Sequence, residues 1–216
     1  MKRFSEKAAA ATIARILKKA DKAREALHYT WIDDKGRQCA LDGFRAFRLD
    51  TPIAGLPGLP ANIQPFPLHT IYEKLAPMNM RELPRPEPDE LAALAADDKK
   101  YKLKGGRYYE DDEKRVRGDY CFGEGLPVVN LEYLMDVYKV YPDAELYFES
   151  VVSPIYIKSQ YGDGLLLPIR YMHGLNTPAR REWKHLKPAA VKPERTPKSS
   201  AAYSLDAFAA RFAPAA

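Results

Sequence analysis

The chain has 216 residues, 46% apolar and 29% charged, with a formal net charge of +5. That length suits one substantial globular domain with tails, and the absence of any run of about 18 apolar residues excludes a membrane-spanning helix. Cys39 and Cys121 alone make no disulfide framework, so a cytoplasmic protein is expected.

The charge is unevenly spread. Residues 2–25 carry eight Lys or Arg against three acids, and residues 177–216 carry eight against three. The segment between them is therefore acidic, and the basic charge sits on the first helix and the tail. Such a pattern permits contact with a polyanion without requiring it.

Ser5 is a plausible N-cap for one long Ala-rich helix, Glu6 to Ala26. Ile13, Ile16, Leu17 and Ala20 fall on one side at 100° per residue, and Arg15, Lys18, Lys19 and Lys22 fall on the opposite side. Four cations on one face suit phosphate contact, which is independent of sequence and sensitive to salt. A solvated helix face is the plainer alternative. Leu27 to Asp33 is aromatic and β-branched, hence a strand. Asp34-Lys35-Gly36 is a turn, and Gln38 to Leu49 is the return strand. Asp42-Gly43 has a turn's composition, but apolar residues continue on both sides, so one continuous strand is expected. Asp42 reads as a carboxylate capping local backbone amides beside Arg45 rather than as a catalytic acid.

Thr51 to Pro67 is dense in Pro and Gly. Leu68 to Leu75 follows as a short helical stretch, and Asp89 caps a second, Glu90 to Ala96. Lys99 to Lys104 and Arg107 to Tyr109 could form a hairpin around Gly105-Gly106. The acidic run Glu110 to Glu113 lacks the alternating spacing of a calcium loop and reads as a solvated turn.

Leu126 to Met172 forms a complete unit. Asn130 caps a helix from Leu131 to Tyr141, whose Leu131, Leu134, Met135 and Tyr138 recur at i, i+3, i+4 and i+7. Pro142-Asp143 stops it. Glu145 to Glu149 and Ser153 to Ser159 are strands, and Tyr161 to Gly164 is a tight turn into the apolar Leu165 to Tyr171. Beyond it, Asn176 to Ser200 reads as a flexible arm, and Ser204 to Phe212 as a short amphipathic helix that docks back on its own domain or, as the alternative, on a partner.

His28, His69, His173 and His185 lie in four different segments, with no ligand spacing for a metal. No G-x-S-x-G, Walker loop or G-x-G-x-x-G occurs. No catalytic residue, metal or cofactor is expected.

Three stretches carry a resemblance. Asn130-x-x-Tyr133-Leu134-x-Asp136-Val137, the closing apolar strand that ends in Arg170, and Ala40-Leu41-Asp42-Gly43-Phe44-Arg45 are together similar to the bacterial DNA polymerase III beta sliding clamp family. The last resembles that family's T-D-G-[HF]-R strand motif, departing from it at the Thr. The resemblance implies an α+β domain of the DNA-clamp (processivity) fold over residues 5–173. Its antiparallel sheet would face outward, backed by two helices, with a long insertion at about 52–125 and a basic tail over 174–216. Asp42, Gly43, Arg45, Asn130 and Arg170 are then structural motif residues, with Gly43 at a bulge.

The function implied is a non-enzymatic accessory protein of bacterial or phage-derived DNA replication or repair. Arg15, Lys18, Lys19 and Lys22 would contact the duplex DNA backbone, and a polymerase or clamp-associated protein is a second expected partner. Clamps of this family close a ring from six such domains, so a one-domain chain would form a homo-oligomer or forgo the ring. The second helix offers only Lys139 beside Glu132 and Asp136, which favours a rival reading. In that rival the protein is an interaction module that keeps the fold without binding DNA. An enzyme with a site between insertion and sheet is a third reading.

Overall fold

A computed structural model describes residues 3–75, 80–100 and 118–170. Helix α1 (Glu6–Lys19) begins where the Ser5 hydroxyl accepts from the Ala8 amide, 3.3 Å away. It ends seven residues before the expected Ala26 (19 against 26). Ala20 leaves the helical backbone with ψ 160°, and the Asp21 carboxylate accepts from the Ala23 amide at 3.0 Å. An Asp offering that local bond competes with helix continuation. Lys22 consequently lies in a turn rather than on the helix.

The expected strand over Leu27–Asp33 is also shortened. Glu25–His28 forms a single 3-10 turn, and β1 is only Trp31–Ile32. Strands β2 (Gln38–Leu41) and β3 (Arg45–Leu49) then pair antiparallel, with Leu41 opposite Ala46. The expectation of one strand through Asp42-Gly43 is therefore corrected: the dipeptide is a hairpin turn, with Gly43 at φ 92°, a conformation that favours glycine. The apolar run continued through the turn because every residue of β2 and β3 is buried.

The chain is a mixed α/β protein with few helices and one large sheet. Seven strands lie in the order β1-β2-β3-β9-β8-β7-β4, every pair antiparallel. Strand β9 (Gly162–Leu166) runs beside β3, with Arg45 opposite Leu166 and Leu49 opposite Gly162. Strands β8 (Ile155–Ser159), β7 (Glu145–Phe148) and β4 (Arg81–Glu82) complete it. Ser159 faces Gly162, so the tight turn is Gln160-Tyr161 rather than Tyr161–Gly164. A separate hairpin, β5 (Asp119–Cys121) with β6 (Val128–Asn130), leads into α4 (Leu131–Val140).

Side chains alternate between two cores, as a pleated strand requires. Phe47, Leu49, Ile155, Ile157 and Leu166 face α1 and α4 with Ile13, Ile16, Leu17, Leu134 and Val137. Cys39, Leu41, Ala46 and Leu165 face the other way, against Leu68, Ile71 and Leu75 of helix α2 (Leu68–Lys74) and its C-cap. The expectation of an outward-facing sheet is thus corrected. Over β2, β3 and β9 the sheet is covered on both faces, because both faces carry apolar side chains that need burial.

Of the region 52–125, α2 covers the sheet, β4 extends its edge beside β7, and α3 (Pro88–Lys100) packs on α4. The hairpin around Gly105-Gly106, the acidic run Glu110–Glu113 and the tail 174–216 lie outside the described residues. Tyr141 joins the layers: it is fully buried, and its hydroxyl lies 2.9 Å from the Arg48 carbonyl and 2.8 Å from that of Asp163.

Candidate nucleic-acid interface

The four cations singled out in the sequence occupy different environments. Arg15 turns toward α4. Its Nη1 donates to Glu132 at 2.8 Å and its Nη2 to Asp136 at 2.5 Å. Burial alone would lower the guanidinium pKa, but the bonds and charges of Asp136 and Glu132 outweigh it and raise it. Lys19 lies 3.3 Å from Glu132, although its side chain stays 61% exposed. Lys18 and Lys22 are exposed and make no ion pair among the described residues. The structure therefore separates the set into two cations neutralised by α4 and two left facing solvent, one of them beyond the helix end.

Beneath these lies a buried network centred on Asp136, which has no exposed surface. Asp42 Oδ1 accepts from the amides of Phe44 and Arg45, both at 3.0 Å, so it closes the hairpin turn. Its Oδ2 accepts from Arg45 Nε at 3.0 Å. Arg45 Nη1 then reaches Asp136 Oδ2 at 2.5 Å, and its guanidinium sits 4.1 Å from the Tyr133 ring centroid. Lys139 approaches Asp136 Oδ1 at 3.2 Å. One buried carboxylate thus holds three cations, Arg15, Arg45 and Lys139, an arrangement that compensates its loss of solvent.

The remaining motif residues are placed as follows. Asn130 caps α4, its side chain accepting from the Tyr133 amide at 3.2 Å. Gly43 makes the hairpin turn. Arg170 donates to the Val152 carbonyl from Nε at 3.2 Å and Nη2 at 2.9 Å. Asp42, Arg45 and, through its N-cap, the helix of Asp136 are brought together; Arg170 anchors a different loop.

The role of Asp136 as a centre was not legible in the sequence, where it stands with Glu132 beside Lys139 and where the apolar stripe is Leu131, Leu134, Met135 and Tyr138. In the fold Val137 and Val140 are fully buried while Met135 and Tyr138 are partly so. The overlooked signal was the run of Val137, Val140 and Tyr141 on the same side as Leu134, which rotates Asp136 inward.

The chemistry open to this region is ionic and packing chemistry. Cys39 is buried, and burial, with Asp33 adding to it, pushes its thiol up to about 12, the opposite of an activated nucleophile. Among the described residues no group of three or more His, Cys, Asp or Glu is placed to hold a metal ion, and no helix is long and apolar enough to cross a membrane.

No protein-family model and no curated protein matches the sequence. Among solved structures, the chain is similar to a candidate DNA polymerase III beta subunit from Eubacterium rectale, at 15% identity and a TM-score of 0.36. The match covers 76% of this chain and 64% of that one, so the chain spans less than two thirds of that protein's length. A likeness this weak supports no assignment of family.

Proposed function

We propose that this protein is a non-enzymatic, clamp-like accessory factor of DNA replication or repair that acts by contact. The observation that carries the reading is the bond between Arg45 and Asp136. It closes the two segments whose sequences resemble the clamp family onto one another, beneath a shared antiparallel sheet and beside the α1–α4 pair. Lys18 and Lys22 supply the exposed positive charge for duplex DNA, and Lys19 adds to it when Glu132 is displaced or neutralised, while Arg15 stays bonded to Asp136. A polymerase-associated protein or further copies of the chain are the protein partners of this reading.

The test is retention of the full chain on duplex DNA as a function of salt. Backbone contact predicts a steep, linear fall of log affinity with log salt. Retention that is absent at low salt overturns the DNA part of the reading. A solution mass then decides between a monomer and a self-assembled ring.

A second reading has its own support: two of the four cations are already paired within the molecule. On that reading the protein keeps the fold as an interaction module without DNA. Binding to a polymerase or clamp-derived protein with no retention on DNA would select it.

A further inference from the structure

Beside the Arg15–Asp136 network, which it meets at Lys139, the N-terminus of α1, the first turn of α3 and the outer face of α4 line a partly open cavity of about 330 Å³. Its walls are largely apolar, with Leu91 and Met135 among them. Three cations, Arg3, Arg85 and Lys139, line it, and no carboxylate among the described residues does. Tyr138 forms part of the wall, and its hydroxyl oxygen is buried with no hydrogen-bond partner among the described residues.

From this combination we infer that the cavity is a binding site for a small amphiphilic carboxylate, an apolar body of about ten to fifteen heavy atoms ending in an anionic group. The volume lies at the low end of small-molecule sites and encloses one such body rather than an extended chain. Arg85 is held in place by its bond to the Pro142 carbonyl at 2.6 Å and by the Tyr138 ring, 5.6 Å from its guanidinium carbon. It therefore presents its charge without first being ordered, which lowers the entropic cost of binding. Lys139 shares its charge with Asp136, so Arg3 and Arg85 are the principal counter-charges.

The Tyr138 ring forms part of the wall, while its hydroxyl oxygen is closed off from the cavity. Burial pushes the Tyr138 phenol pKa up, with Arg85 pulling against it, so the group stays protonated and uncharged at neutral pH. The inference is independent of the clamp reading.

The experiment titrates the full chain with 4-phenylbutyrate and, separately, with the uncharged 4-phenylbutan-1-ol, following amide chemical shifts up to concentrations on the order of 1 mM. Saturable one-site binding of the acid is expected, with shifts centred on residues 85–92 and 135–139. The alcohol should bind at least about tenfold more weakly, as should the acid to an Arg3→Ala/Arg85→Gln variant. No saturation, equal binding of acid and alcohol, or undiminished binding of the acid by the Arg3→Ala/Arg85→Gln variant each overturns the proposal.

Discussion

Arg45 Nη1 meets Asp136 Oδ2 at 2.5 Å in a region where their side chains are 3% and 0% exposed, so residues 91 positions apart form one buried ionic unit. Asp136 also takes Arg15 and Lys139. Arg15 and Lys139 reach solvent, but Arg45 is buried, and without Asp136 it keeps only Asp42 as a counter-charge in a medium that solvates it poorly. Asp136→Ala should cost about 3–5 kcal/mol of unfolding free energy, and Asp136→Asn should recover only part of that. Urea unfolding at neutral pH checks both; a loss below about 1 kcal/mol would show that the network does not hold the α4 layer to the hairpin.

Glu132 is half exposed and carries the outer end of the same network, touching Arg15 and Lys19. Its removal should change stability by less than about 1 kcal/mol. If the α1 face meets DNA, Glu132→Gln should strengthen retention and steepen its salt dependence, because Lys19 is released for phosphate while Arg15 keeps its bond to Asp136. Lys18→Ala/Lys22→Ala should do the reverse. Filter binding at several salt concentrations reads both variants, and unchanged curves for both would remove this face from the interface.

Gly162 sits where β9 meets β3. A Cβ there would lie 2.0 Å from the Arg48 carbonyl oxygen, and its φ of 139° is one that other residues rarely adopt. Gly162→Ala should destabilise by more than about 1 kcal/mol, since clash and strain add. Gly58, with nothing within 4 Å of the same construction and no positive φ, is the control: its Ala variant should stay within about 0.5 kcal/mol of the parent. Denaturant midpoints measured side by side decide the matter.

Asp33 provides the pH dependence. Burial would raise its carboxyl pKa, but the Arg37 side chain and the amides of Arg37 and Lys35 donate to it and hold it below the usual range. A carboxyl depressed in the folded state stabilises fully above its unfolded value, about 4, and that contribution fades as pH falls through the folded value. Between about pH 6 and about pH 2 the parent should therefore lose more thermal stability than Asp33→Asn. Parallel acid titrations of the two proteins, followed by melting temperature, test the difference.

Much of the local structure was legible in the chain. Asn130 and Ser5 announced helix starts because a side-chain acceptor at that point needs only the next turn of backbone. The strands after α4 followed from period-two alternation. The hairpin at Asp42-Gly43 was not read, because strands buried on both faces show no alternation to reveal their end. The inward direction of Asp136 was not legible for a related reason: it depends on the rotation of α4, which Val137, Val140 and Tyr141 set only by packing against the sheet.

What the sequence determined by itself was the set of short-range choices: where most helices and strands begin, where Gly and Pro break them, and where the cations lie. Whether a face of the sheet stays open, and which of those cations keep their charge free, was decided only by the tertiary structure. Both depend on distant partners, α2 laid over β2 and β3, and Glu132 and Asp136 brought against Arg15. Contacts across about a hundred residues leave no local pattern, because their free energy arises from desolvation and charge pairing that exist only once the chain has closed on itself.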